Sequence, residues 1–156
     1  MKKKSFSIKE AKTILEKYCI YQERSHKEVI DKLKKINIIP EAIDQIVSSL
    51  IQENFLNESR FAKSFSRGKF RIKNWGKKRI IFYLKRHKIS EYNINNALKE
   101  IDEVDYIKTL NKLSEKVWDS TKGHKIVTRK KKFISALKYR GWENNLIYEK
   151  LNEILN

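Results

Sequence analysis

The stretch Val29-Ile-Asp-Lys-Leu33-Lys-Lys-Ile-Asn-Ile38-Ile-Pro-Glu-Ala-Ile43-Asp-Gln-Ile-Val47-Ser-Ser-Leu50 decides the fold, because its apolar spacing occurs three times in the chain. Val29, Leu33, Ile38, Ile43, Val47 and Leu50 stand at offsets 0, 4, 9, 14, 18 and 21. Ile80, Leu84, Ile89, Ile94, Leu98 and Ile101 repeat those offsets 51 residues on. Phe133, Leu137, Trp142, Ile147, Leu151 and Ile154 repeat them after a further 53. Offsets 0 and 4 are one helical turn apart, and offsets 14, 18 and 21 follow the i, i+4, i+7 stripe of an amphipathic helix. Each copy therefore reads as helix, tight turn, helix, with an apolar plug (Ile38, Ile89 or Trp142) under the turn. Self-similarity at a fixed period is the mark of a repeat architecture.

Boundary residues agree with this reading. Ser7 with Glu10, and Ser25 with Glu28, have capping-box spacing; Pro40 suits a first helical turn, and Ser90 can cap an N-terminus. Gly141 stands where a helix C-terminus needs a residue tolerant of positive φ. A further amphipathic segment precedes each pair: Ala11, Ile14, Leu15 and Tyr18; then Phe61, Ala62, Phe65 and Ile72; then Val104, Ile107, Leu110, Leu113 and Val117. The fold class is all-α, with nine helices in three tandem three-helix repeats over residues 1–56, 57–101 and 102–156. Each repeat is too poor in apolar residues to close a core alone, so neighbours are expected to stack into an elongated, curved array.

Composition excludes several functional classes. Four glycines and one proline in 156 residues leave little material for turn-dense β architecture or a Gly-rich nucleotide loop. The single cysteine, Cys19, supports neither a disulfide framework nor a cysteine zinc site, and on the apolar side of its helix it reads as a small buried hydrophobe. His26, His87 and His124 are scattered without metal-ligand spacing. With no nucleophile motif and no carboxylate in the most basic region, a protein without catalysis, cofactor or metal is expected. The basic lead of residues 1–4 is followed by Lys9, Glu10 and Lys12 rather than by an apolar core, so it does not read as a secretory signal. No run approaches about 18 apolar residues. The expectation is a cytoplasmic, monomeric protein away from membranes.

What remains is charge. Lys and Arg number 36 against 19 Asp and Glu, a net charge of +17, and the three repeats carry +3, +10 and +4 of it. No carboxylate lies between Glu58 and Glu91, and a second acid-free window runs from Asp119 to Glu143. Lys63, Arg67 and Arg71 at i, i+4, i+8 line one stripe of a helix. Like charges at that spacing cost about 0.2–0.5 kcal/mol per pair, so the stripe makes most sense if an anionic surface covers it. In the next helix Lys78, Arg79, Lys85 and Arg86 share an arc with Phe82 in its middle, and Trp75 stands at the turn between the two basic helices. The candidate polyanion-binding residues are Lys63, Arg67, Lys69, Arg71, Lys73, Lys77, Lys78, Arg79, Lys85, Arg86, Arg129, Lys130, Lys131 and Lys132. Trp75 and Phe82 are the candidates for stacking or partner contact. The plain alternative is a solvated basic face in a lysine-biased chain, with both aromatics packed between repeats. Trp142, at a repeated core position, reads as core. Base readout by Asn93, Asn95 and Asn96 is weakened by Glu91 and Glu100 on the same helix, so backbone contact fits better.

The run Phe55-Leu-Asn-Glu-Ser-Arg-Phe-Ala-Lys-Ser-Phe65, with Arg71, Trp75-Gly76, Arg79-Ile80, Leu84, Ile89 and Ala97-Leu98, resembles the central signature of the RecX family. Ser25-His-Lys-Glu28 with Leu33, and Phe133, Leu137 and Arg140-Gly-Trp142, resemble that family's flanking repeats. Asn74 and Trp75 depart from the commoner Gly-Tyr before Gly76. The resemblance implies tandem three-helix repeats and a non-catalytic regulator. Such a regulator binds the RecA recombinase and its filaments on single-stranded DNA, and generally inhibits them. Double-stranded DNA is a further candidate ligand. The family supplies no sharply defined active residues, so the site rests on charge geometry. The competing reading is a general nucleic-acid-binding helical protein that acts without RecA.

Overall fold

The computed structural model describes residues 5–156; the basic lead at residues 1–4 lies outside the described residues. Among the described residues there are nine α-helices and no strand. They are α1 (Ile8–Tyr21), α2 (His26–Lys35), α3 (Pro40–Gln52), α4 (Glu58–Lys73), α5 (Lys77–Arg86), α6 (Glu91–Leu98), α7 (Glu103–Asp119), α8 (Ile126–Tyr139) and α9 (Asn144–Leu155). Helix starts follow local chemistry. The Ser7 hydroxyl accepts from the Glu10 amide while Glu10 accepts from the Ser7 amide, both at 3.1 Å. Ser25 and Glu28 make the same reciprocal pair at 3.1 and 3.0 Å. Each box satisfies two of the N–H groups that a helix start leaves over. Pro40 opens α3, and Ser90 Oγ accepts from the Asn93 amide at 3.3 Å.

The tight turn is one backbone structure made with three different residues. Asn37, Lys88 and Gly141 all stand at offset 8, and all have positive φ, at 65°, 62° and 88°. At the next residue, Ile38, Ile89 or Trp142 donates its N–H to the carbonyl of Leu33, Leu84 or Leu137, at 3.1 Å in every case. The residue at offset 8 itself donates to Lys34, Lys85 or Lys138 at 2.9–3.0 Å. This pair of bonds is a Schellman ending. It turns the chain back and drives the plug residue under the helix it has just left. Only glycine takes that φ without steric cost. Lys88→Gly should relieve about 1–2 kcal/mol of left-handed strain, against about 0.4–1 kcal/mol of added unfolded-state entropy. A net gain of about 0.5 kcal/mol is expected, read as a higher urea midpoint at unchanged slope.

Two compact units form. One runs through Phe65 and includes Leu84–Asn96; the other comprises Ser66–Tyr83 and Ala97–Asn156. In the first, Ala11, Leu15 and Cys19 of α1 join Val29 and Leu33 of α2, Ile43, Ile46 and Leu50 of α3, and Leu56 in one core. Burial pushes the Cys19 thiol pKa up, as befits a core side chain. The His87 ring lies 5.0 and 5.6 Å from Phe61 and Phe65, with its Nδ1 2.9 Å from Ser25 Oγ. Glu58 accepts from Asn93 Nδ2 at 2.5 Å and Ser90 Oγ at 3.1 Å. Burial works against its charge, but those bonds outweigh it and hold the carboxyl below its ordinary pKa.

In the second unit Tyr106, Leu110, Leu113 and Val117 of α7, Phe133 and Leu137 of α8, and Ile147 and Leu151 of α9 are buried together with Trp142. Tyr106 stacks on Trp142 at 4.4 Å and lies 5.8 Å from Phe70. All 18 positions of the repeated hexads are buried or half-buried. At offset 18, Val47 and Leu98 are only half-buried, and the neighbours Ile46 and Ala97 hold the core instead.

Three apolar assignments are corrected. Ile72, expected on the inner face of α4, is 78% exposed. The buried face of α4 turns along its length: Phe61 and Ala62 are covered in the first unit, Ser66 and Phe70 in the second. At about 100° per residue that is a rotation of about a third of a turn. Ile72 continues a stripe that has already ended. On α7, Val104 and Ile107 are exposed. Tyr106 takes the core place between Phe70 and Trp142, setting the face one residue away from Ile107.

Candidate nucleic-acid interface

The second unit seats the start of α5 on the end of α8. The Gly76 amide donates to the Arg140 carbonyl at 2.8 Å, and the Lys78 amide to the Gly141 carbonyl at 3.0 Å. Between them the Lys77 amide donates to the Tyr106 hydroxyl at 2.9 Å. Arg79 Nη1 donates to the Tyr139 carbonyl at 2.6 Å. Leftover donors of one helix thus satisfy leftover acceptors of another. The Tyr106 hydroxyl donates onward to the Glu143 carboxylate; burial, and then that carboxylate, push the Tyr106 pKa well up. Trp142 Nε1 donates to the Asn74 carbonyl at 3.1 Å.

Two glycines allow this approach. A Cβ on Gly76 would lie 2.5 Å from the Gly141 carbonyl oxygen and 2.6 Å from the Trp142 nitrogen. A Cβ on Gly141 would overlap the Cβ and backbone nitrogen of Arg79.

Beside this junction opens a groove lined by Lys78, Arg79, Phe82, Tyr83, Lys138, Tyr139 and Gly141. Its lining is cationic and aromatic and contains no carboxylate. Phe82 is 55% exposed and Tyr139 73% exposed. The Arg79 guanidinium lies 4.5 Å from the centroids of both Trp75 and Tyr139, and 5.5 Å from Tyr83. Trp75 also packs on Tyr83 at 5.0 Å, with Lys69 Nζ 5.0 Å from its ring. Cation–π contacts of this kind hold rings in place.

The expected site residues divide into distinct groups. Lys78, Arg79 and Phe82 line the groove, and Trp75 stands half-buried behind it. Arg71 lines a separate concavity with Phe70, Asn74, Asp105, Lys108, Thr109 and Lys112. Arg67, Lys69 and Lys73 also lie on the second-unit part of α4, with Lys73 exposed. Lys77 is held by Glu103 at 2.5 Å and lies 4.5 Å from the Tyr106 ring. Arg129 is likewise engaged within the chain, 3.9 Å over the Trp118 ring. It donates to Thr121 Oγ1 at 2.9 Å and the Trp118 carbonyl at 3.2 Å, closing the end of α7. Lys130 is half-buried, and Lys131 and Lys132 are exposed. Helical geometry puts Lys131 and Lys132 on the same face of α8 as Lys138 and Tyr139, seven residues on. Lys63, Lys85 and Arg86 belong to the first unit and do not line the groove.

Tyr83, Lys138 and Tyr139 were not singled out by the sequence. Lys138 carried a signal, because it repeats the α8 face of Lys131. Tyr139 meets Arg79 only through the fold. Among the described residues, no group of three or more His, Cys, Asp or Glu could hold a metal ion, and no helix is long and apolar enough to cross a membrane.

Among the described residues, nine helices and one Schellman turn made three times in one frame define an all-α helical-repeat protein. Residues 57–98 match the family model described as RecX, second three-helix domain. Regulatory protein RecX of Prosthecochloris aestuarii is 28% identical over 138 residues, covering 88% of this chain and 89% of that protein. Regulatory protein RecX of Lactobacillus johnsonii is 28% identical over 129 residues, covering 83% of this chain. The chain spans 48% of that relative's length. The fold is shared with a crystal structure of regulatory protein RecX, at 22% identity and a TM-score of 0.82 over 94% of this chain and 71% of that one. It is shared also with the crystal structure of RecX from Lactobacillus salivarius, at 24% identity and a TM-score of 0.79 over 94% and 95%. Residues 57–98 thus carry the RecX second three-helix domain, and the chain is similar to RecX proteins over most of its length.

Proposed function

We propose that the chain binds RecA and RecA filaments on single-stranded DNA and modulates, mostly by inhibition, recombinase activity in DNA repair and the SOS response. The observation that carries this reading is the acid-free, lysine- and arginine-rich run of residues 59–90, together with the cationic, aromatic groove lined by α5 and α8. Such a surface fits phosphates or an acidic protein face without requiring a base sequence. The protein acts as a cytoplasmic monomer, without a cofactor and without chemistry of its own. Its three-helix repeats, 1–56, 57–101 and 102–156, supply surface along a filament and hold RecA protomers in a state unfit for strand exchange.

The test reverses Lys63, Arg67 and Arg71 to Glu together and assays free single-stranded DNA and preformed filaments in parallel. The expected result is a loss of about tenfold or more in inhibitory potency, with helix content retained. Inhibition at full strength removes α4 from the site. A wild-type chain that binds DNA tightly yet never alters RecA strand exchange or ATPase overturns the regulator reading. It leaves the second reading, a general nucleic-acid-binding protein acting without RecA.

A further inference from the structure

We infer that the groove lined by Lys78, Arg79, Phe82, Tyr83, Lys138 and Tyr139 is a single-strand-selective subsite. In it Phe82 and Tyr139 stack unpaired nucleobases while Lys78 and Lys138 hold the adjoining phosphates. This deepens the proposed function and rests on its polyanion-binding part. Three observations meet at the groove. The first is the absence of any carboxylate from its lining, so nothing there repels a phosphate. The second is the exposure of two aromatic rings on different helices, Phe82 on α5 and Tyr139 on α8. The third is the bracing of Tyr139, whose carbonyl takes a hydrogen bond from Arg79 Nη1 and whose ring faces the same guanidinium at 4.5 Å.

Arg79 is therefore the positioning residue and the two lysines the phosphate contacts. Lys131 and Lys132 continue the cationic face along α8, giving a strand a path out of the groove. Bases in a duplex have both faces already stacked, so a duplex engages only the lysines. An unpaired base offers a free π-face, and base–aromatic stacking adds affinity whatever the base. An acidic peptide satisfies the lysines but has no use for two exposed rings. Single-stranded nucleic acid uses both.

The test is fluorescence anisotropy of the full chain with three probes of about 15 nucleotides: an oligothymidine strand, an abasic strand with the same backbone, and a duplex. The thymidine strand is expected to bind about tenfold or more tighter than the abasic one. The double variant Phe82→Ala/Tyr139→Ala should lose that advantage, leaving abasic and duplex binding and the salt slope unchanged. Tyr139→Phe, which keeps the ring, should retain the advantage. Equal binding of thymidine and abasic strands, or an equal loss on all three probes, overturns the subsite. The two readings fail separately. Base-dependent binding without any effect on RecA strand exchange keeps the subsite and removes the recombinase role. Full RecA inhibition by a wild-type chain that binds thymidine and abasic strands equally does the reverse.

Discussion

Replacing Gly141 by alanine is expected to cost about 2–5 kcal/mol in urea unfolding, more than a methyl group added at any other glycine. Two independent penalties add. At φ 88° an L side chain is strained by about 1–2 kcal/mol. The new methyl would also overlap the Cβ and backbone of Arg79, where neither helix end can retreat without breaking the amide–carbonyl bonds that join them. Forced overpacking of that kind typically costs about 1–3 kcal/mol. Gly76→Ala carries the second penalty without the first, since its clash is with the Gly141 carbonyl and the Trp142 nitrogen. Gly68→Ala is the control. Nothing lies within 4 Å of its Cβ position on α4, so it should gain about 0.5–1 kcal/mol from helix propensity. Opposite signs at Gly141 and Gly68 are the expected pattern. A Gly141→Ala protein within about 1 kcal/mol of wild type would contradict the close seating of α5 on α8.

The second large effect is electrostatic. Lys78→Glu with Lys138→Glu should weaken single-strand binding by about a hundredfold near 0.1 M salt. Each phosphate neutralised on a single strand contributes a log–log salt slope of about 0.7, which at that salt is about fivefold in affinity. Losing two contacts removes about 25-fold, and the two new carboxylates add repulsion in a groove that now has none. The same titration reads the cause. The slope of log affinity against log salt should flatten by about 1.4, whereas a folding defect would lower active fraction without changing the slope. Both lysines are exposed, so the reversal leaves the core untouched.

Much of the fold was legible because it is written locally. The helix pairs, their capping boxes and the positive φ of Gly141 depend on residues within two or three turns of one another. Cys19 took the buried place that its helical face predicted, and Trp142 the one that its repeated position under the turn predicted. The faces of α4 and α7 were harder, because a helix buries whichever side its partner covers. Ile72 and Ile107 are as apolar as their neighbours; Phe70 and Tyr106 displace them because Trp142, distant in sequence, supplies the ring that Tyr106 stacks on. The candidate site shows the same division. Charge placement along the sequence pointed to α4 and α5 first, and then to the first half of α8. Which cations are already engaged within the chain, as Arg129 and Lys77 are, depends on carbonyls and carboxylates that only folding brings near. Tyr139 stands 60 residues from Arg79, beyond the reach of any helical period.

The division of the chain into units also bears on how the protein is made. α4 starts in the first unit and ends in the second, α5 passes back between Tyr83 and Leu84, and α6 crosses again between Asn96 and Ala97. A ribosome releases the chain from its N-terminus. The first unit therefore waits for Leu84–Asn96 to emerge, and by then Ser66–Tyr83 is already outside, itself awaiting Ala97–Asn156. At no stage of synthesis is one unit finished while the other is unbegun. For the same reason no single proteolytic cut can release either unit whole.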